Sequence, residues 1–369
     1  MEFIPLDKWI DYSEKPLVIA GPCSAETESQ VMQTARAIAS IPNVKVFRSG
    51  IWKPRTRPGG FEGVGKEGLI WLKKVKDETG LLTTVEVAKP EHVALAVEAG
   101  IDILWIGART VVNPFSVQEL AEAMAGTDIP LLIKNPVNPD IKLWIGAIER
   151  FFKTGHHRIA AVHRGFSQIE KSGFRYPPIW EIPIELMRLM PGLPLICDPS
   201  HISGSAAMVR SVSQQALDLE MQGLMIETHI DPSHALTDAR QQLTPSMLEE
   251  VLNSLIIRES GIPNDIERNL EILRHEIDKI DDQMLHLLAK RMEISEEMGK
   301  YKYNHNITIL QIRRWKELFA DRISKGEERN LNLDFLASLL RLVHEESIRI
   351  QTNVMKQSET GEAGSDQQD

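Results

Sequence analysis

The chain has 369 residues, 42% of them apolar and 25% charged, which is the composition of a soluble globular protein of about two domains. No apolar run approaches the roughly 18 to 20 residues of a membrane span, and Met1-Glu2-Phe3-Ile4-Pro5 lacks the basic and apolar regions of a secretion signal, so a cytoplasmic protein is expected. A net charge of −10 argues against a nucleic-acid surface, and two cysteines, Cys23 and Cys197, make no disulfide framework.

Short apolar runs lie near 17–22, 44–48, 81–87, 101–107, 130–134, 158–163, 193–197 and 223–228. Helical patterns fall between them, for example at 28–40, 67–79, 91–99 and 205–222. This alternation predicts a parallel (β/α)8 TIM barrel over residues 1–256, close to the usual size of about 250 residues. A doubly wound open sheet is the alternative, but Gly21-Pro22-Cys23-Ser24 is not the Gly-rich dinucleotide loop that sheet usually carries. Gly261 and Pro263 mark a linker, set at 257–267. An all-α domain of three helices follows at 268–356: Leu270, Leu273, Ile277, Ile280, Met284 and Leu288 recur at helical spacing in one helix to 303, a second follows Thr308, and a third covers 333–354. Residues 357–369 read as a disordered tail. So small a helical unit buries little by itself, which predicts a homodimer through this domain.

Many of the runs end in reactive side chains, and in a parallel barrel such ends converge on one face. Cys23, His201, Glu227 and Asp238 offer a thiolate, an imidazole and two carboxylates, a set that suits a divalent first-row metal better than magnesium or calcium. Singly, each has a structural reading: Cys23 as a small core residue, His201 as a satisfied histidine, Asp238 as a helix cap. No short ligand motif decides between the two readings. Isolated cations, Arg48, Lys53, Arg55, Arg109, Lys134 and Arg164, stand at or just after the same runs, where a merely solvated face does not require them. Arginine and lysine there suit phosphate and carboxylate. The residues themselves thus predict a metal-assisted enzyme of small polyanionic metabolites.

Gly21-Pro22-Cys23-Ser24, Arg48-Ser49-Gly50, Lys53-Pro54-Arg55-Thr56, Gly107-Ala108-Arg109, Lys134-Asn135-Pro136, His163-Arg164-Gly165 and Asp198-Pro199-Ser200-His201, with Glu227 and Asp238, together resemble 3-deoxy-D-arabino-heptulosonate 7-phosphate synthase of the type I-beta class. The resemblance implies a barrel that condenses phosphoenolpyruvate with erythrose 4-phosphate, the entry to the shikimate pathway. It further implies Cys23, His201, Glu227 and Asp238 as ligands of manganese or a similar metal. Arg48, Lys53, Arg109, Lys134 and Arg164 would bind phosphoenolpyruvate, and Arg55 with Thr56 would meet erythrose 4-phosphate. Glu86 would place the attacking water, and Lys53 would donate a proton. The related 3-deoxy-octulosonate 8-phosphate synthase is the rival, disfavoured by the Lys53-Pro54-Arg55-Thr56 loop and the context of Asp238.

Leu273-Arg274-His275-Glu276-Ile277-Asp278, Leu288-Ala289-Lys290-Arg291-Met292, Lys302, Arg314, Ser347 and Gln351 resemble the all-helical chorismate mutase, which converts chorismate to prephenate. Two intertwined protomers build each site in that family. The resemblance implies Arg274 of one chain with Arg291 and Arg314 of the other on the carboxylates, Ser347 in the pocket, and Lys302 with Gln351 at the ether oxygen. The chain departs from the family at Gln311 and Trp315, where acidic residues often orient the substrate hydroxyl. A helical domain that only dimerises and senses a product such as prephenate is the alternative.

Overall fold

The computed structural model describes residues 1–12, 15–53, 59–168, 173–258 and 264–365. Contacts divide the chain into two units, Met1–Ser260 and Gly261–Asp369.

In the first unit, eight parallel strands close into a barrel in sequence order: β1 (Leu17–Gly21), β2 (Val44–Arg48), β3 (Leu82–Val87), β4 (Ile103–Ile106), β5 (Leu131–Lys134), β6 (Ile159–His163), β7 (Leu195–Cys197) and β8 (Gly223–Glu227). The barrel closes where β1 pairs with β8, Val18 opposite Leu224 and Gly21 opposite Glu227. The expectation of a (β/α)8 barrel is met, and each expected run contains one strand. Continuous apolar runs are what a sheet buried on both faces needs. Leu17 and Ile19 of β1 pack inside with Val46, Trp105, Leu132, Val162, Ile196 and Met225, whereas Val18 and Ala20 face the helical layer. Leu6 and Ile10, from the segment before β1, join the inner cluster.

Ten α-helices lie in this unit among the described residues: α1 (Glu28–Ala39), α2 (Lys66–Thr79), α3 (Pro90–Glu98), α4 (Ala108–Val111), α5 (Pro114–Met124), α6 (Ile141–Lys153), α7 (Glu181–Leu189), α8 (Pro199–Ser203), α9 (Val209–Asp218) and α10 (Pro245–Asn253). Local chemistry sets several starts. Thr27 caps α1 by accepting from the Gln30 N–H, Asp140 caps α6, and Asp198 caps α8. The helix expected at 205–222 is shorter: a 3-10 turn at Ala206–Met208 precedes α9, which ends at Asp218.

The second unit holds α11 (Asn264–Asn304), α12 (Ile312–Glu327) and α13 (Leu333–Ser365). At 41 residues α11 is about 60 Å long. It begins at Asn264, directly after the last proline of the expected linker. The third helix runs past 357, where a tail was expected, and meets no glycine or proline before Gly361. Ile277, Ile280, Met284, Leu285 and Leu287 on α11 are exposed, about half or more of each side chain being accessible. No helix of the described residues is long and apolar enough to cross a membrane.

Candidate active sites

The strand tips of the barrel assemble one buried polar site. Cys23 lies two residues beyond β1, Glu227 ends β8, and Asp238 sits in the left-handed region (φ 50°) after the loop that follows β8. One ligand atom each of Cys23, Glu227 and Asp238 lies within 4.8 Å of the others. The Cys23 thiol is 3.4 Å from Asp238 Oδ2. His201, in α8, stands beside the trio with Nε2 3.7 Å from Glu227 Oε1. Its Nδ1 lies 2.8 Å from Asp198 Oδ2, so the proton belongs on Nδ1 and Nε2 is left bare toward the carboxylates. Glu227 Oε1 is fully buried and has no hydrogen-bond partner among the described residues, only the Arg48 guanidinium as an ion pair at 3.4 Å, which leaves it an acceptor that a metal would satisfy. The donor set and this orphaned oxygen fit a divalent first-row metal.

Burial and the neighbouring Glu227 push the Cys23 thiol up to about 12, so the group keeps its proton at neutral pH unless a bound cation displaces it. Burial raises the pKa of Glu227, but His201 and Arg48 outweigh it and hold the group below the usual carboxylate range. Burial likewise opposes ionisation of Asp238, and His201 with Arg175 reverses it.

Cations ring the carboxylates. Arg48, 1% exposed at the end of β2, places Nη1 3.4 Å from Glu227 Oε1. Lys53 donates to Cys23 O at 2.9 Å and reaches Cys23 Sγ at 3.1 Å. Burial works against its charge, yet Cys23, Glu86 and Glu227 raise its pKa, so it stays protonated. Lys134, ending β5, donates to Asp198 Oδ2 at 2.8 Å. Arg164 lies 3.6 Å above the Tyr176 ring. Arg48, Lys53, Glu86, Arg109, Lys134, Arg164, His201 and Asp238 all line one cavity. Gly107 is required beside it, because a Cβ there would sit 2.0 Å from Glu86 Oε1. Arg55 and Thr56 lie outside the described residues.

Four residues of this site were given no role of their own from the sequence, Asp198 standing there only as the first residue of the Asp198-Pro199-Ser200-His201 motif. Asp198 binds both Lys134 and His201, and its place three residues before His201, as cap of a short helix, was a readable signal. Arg175 donates to Asp238 Oδ1 at 2.9 Å and to Gln241 Oε1 at 2.6 Å, and Gln241 donates to Glu227 Oε2 at 2.6 Å. That chain braces two carboxylates of the trio. Arg175 and Tyr176 come from the loop after β6, which carries no local pattern.

The helical unit assembles part of its expected set. Lys302 Nζ donates to Gln351 Oε1 at 2.9 Å, and Arg291 bonds the Ser347 hydroxyl and the Val343 carbonyl. Lys302 is buried and Arg291 half-buried, and burial lowers the pKa of each. A cavity of about 390 Å³ opens beside Lys302 and Gln311, with Ile294, Met298, Tyr301 and Ile307 in its wall. Arg274 and Arg314 are exposed instead, against Glu271 at 2.8 Å and Glu317 at 3.9 Å. Seventeen residues separate Arg274 from Arg291 on one helix, about 25 Å, so the two cannot meet one small ligand within one chain.

The DAHP synthetase I family model matches residues 9–259, and the chorismate mutase type II model matches residues 273–352. A phospho-2-dehydro-3-deoxyheptonate aldolase of Thermotoga maritima is 30% identical over 260 residues, covering 69% of this chain and 75% of that protein. A 2-dehydro-3-deoxyphosphooctonate aldolase of Desulfatibacillum aliphaticivorans is 30% identical over 260 residues, covering 65% of this chain and 90% of that one. The crystal structure of the Thermotoga maritima heptonate enzyme aligns with TM-score 0.58 and 29% identity. That alignment covers 64% of this chain and 66% of that one, just under two thirds of its length.

Proposed function

We propose, for a chain that belongs to the DAHP synthetase I family and carries a chorismate mutase type II domain behind its barrel, that it joins phosphoenolpyruvate to erythrose 4-phosphate and rearranges chorismate to prephenate, in the cytoplasm. The observation that carries the first activity is the convergence of Cys23, Glu227 and Asp238, with His201 beside them, on a cavity walled by arginines and lysines. Cys23, His201, Glu227 and Asp238 would hold a divalent metal, manganese or a similar ion, which when bound supplies a Lewis acid for the aldehyde oxygen of erythrose 4-phosphate.

The protein's own groups do the rest. Arg109, Lys134 and Arg164, with Arg48 and Lys53, grip the phosphate and carboxylate of phosphoenolpyruvate, and Arg55 with Thr56 meets the phosphosugar. Glu86, held over Gly107 in the same cavity, orients the water that attacks the second carbon of phosphoenolpyruvate before phosphate leaves. Lys53, charged beside Cys23 and Glu86, donates the proton to the new alkoxide. Cavity walls of fixed cations stabilise developing charge without reorganising.

In the helical unit Arg291, Arg314 and Ser347, with Arg274 of a second copy, bind the two carboxylates of chorismate, and Lys302 with Gln351 faces the ether oxygen. The reaction is unimolecular, so catalysis is restraint plus electrostatic stabilisation. The exposed apolar residues of α11 and the span between Arg274 and Arg291 favour a homodimer through this unit. Prephenate made there would act back on the synthase, which would need a coupling of about 1 to 3 kcal/mol.

Three assays test this reading. Offered erythrose 4-phosphate or arabinose 5-phosphate, the protein should consume phosphoenolpyruvate only with the four-carbon sugar; preference for the five-carbon sugar would assign it to the octulosonate enzymes, to which it is also similar. Chorismate absorbance should fall with the wild type and not with Arg291→Ala; no fall in either would leave the helices as a sensor alone. Prephenate should inhibit the full chain and not residues 1–256.

A further inference from the structure

On α13, His344, Ser347 and Gln351 follow one another at spacings of three and four, so the imidazole lies on the stripe that carries the two expected pocket residues. Its ring stacks on the Trp315 indole of α12, with centroids 3.7 Å apart and planes 8° from parallel. His344 Nε2 is buried and has no hydrogen-bond partner among the described residues. An unsatisfied buried nitrogen is costly, and it stands in the part of the bundle where Arg291 and Lys302 also turn inward.

We infer that His344, set by Trp315, is a substrate-contact residue of the helical site and accepts a hydrogen bond from the ring hydroxyl of chorismate. This rests on the mutase reading given above. Chorismate brings two carboxylates and an ether oxygen, all acceptors, and the cations and amide of the pocket answer them. Its hydroxyl is its one donor and needs an acceptor. A neutral imidazole can provide that, and an imidazolium cannot. Burial, then Arg291 and Lys302, lowers the pKa of His344, so the ring is neutral at pH 7. The same two cations favour a bare lone pair over an N–H at the inner nitrogen. The indole face fixes the ring plane and offers no acceptor of its own, since its one polar atom is a donor.

The test uses the full chain with chorismate and with a chorismate analogue lacking the ring hydroxyl. His344→Phe keeps a ring against Trp315 and removes the nitrogen, so its melting temperature should stay near that of the wild type. Its kcat/KM for chorismate should fall by about 10- to 100-fold, the range for loss of one buried hydrogen bond. On the analogue the two proteins should agree within about twofold, and His344→Asn, which restores an acceptor, should recover part of the loss on chorismate. An equal loss on both substrates would mean a structural role, and no loss on chorismate would mean no contact; either overturns the inference and leaves the mutase reading standing. A wild type that turns over neither substrate would sink the mutase reading and this inference with it.

Discussion

The substitution Asp198→Asn exchanges one carboxylate oxygen for an amide nitrogen while keeping the shape of the side chain. In the wild type Oδ2 accepts from Lys134 Nζ at 2.8 Å, and Oδ1 accepts from the backbone N–H of His201 at 3.1 Å, with His201 Nδ1 in reach of both oxygens. The substituted side chain keeps one acceptor. If that oxygen stays on His201, the amide NH₂ faces the Lys134 ammonium, donor against donor, and leaves a lysine that is 5% exposed without its counter-ion. Breaking a buried pair in this way costs about 3 to 5 kcal/mol. For a unit of this size that is a fall in melting temperature of roughly 6 to 20 °C. Because Asp198 also fixes the ring of His201, manganese affinity should drop by about 10- to 100-fold. Differential scanning calorimetry and isothermal titration of manganese into chelator-treated protein read the two effects separately. A variant that melts within about 2 °C of the wild type and binds manganese equally well would refute the role given to Asp198.

Three further outcomes are expected. Burial among Trp144, Phe166 and Trp180, reinforced by Arg164, lowers His163 from 6.5 to about 3. The unfolded chain therefore takes up a proton below about pH 6.5 that the folded barrel refuses, and stability falls as pH falls. Between pH 7 and pH 5 this amounts to about 2 kcal/mol, which denaturation of His163→Phe against the wild type at both pH values should show as a shallower slope. Gly107→Ala puts a methyl 2.0 Å from Glu86 Oε1; kcat of phosphoenolpyruvate consumption should drop on the order of 100-fold while the melting temperature moves little, and an unchanged kcat would dissociate Glu86 from the chemistry. Gln241→Leu removes the donor to Glu227 Oε2 and the acceptor for Arg175, so manganese affinity should fall about 10-fold or more, and equal titration curves would show that the brace does nothing for the site.

The barrel could be read because its strands are buried on both faces: Leu17-Val18-Ile19-Ala20 fills the inner core with alternate residues and the outer core with the rest, which leaves an unbroken apolar run in the sequence. The groups at the tips were visible for the same reason, as abrupt breaks in those runs. Arg175 was not. Its loop reaches the site because its backbone N–H donates to Ile202 O at 3.1 Å and because Gly204 lacks a Cβ that would stand 2.4 Å from that of Arg175. That approach joins residues from different loops and has no periodicity. His344 escaped notice for the opposite reason, since on a helix of mixed polarity a histidine at pocket spacing looks like any surface residue until the Trp315 ring is found against it. Arg274 and Arg314 show the limit of one chain: their spacing suits a pocket, but each faces solvent beside a local glutamate.

The most direct test of the barrel site strips the protein of metal with a chelator and returns manganese in sub-stoichiometric steps, following phosphoenolpyruvate consumption in the presence of erythrose 4-phosphate. No turnover is expected at the start, then a linear rise that breaks at one equivalent per chain, and neither rise nor binding for Cys23→Ala. Consumption that survives chelation, or a Cys23→Ala protein that recovers like the wild type, would contradict that expectation.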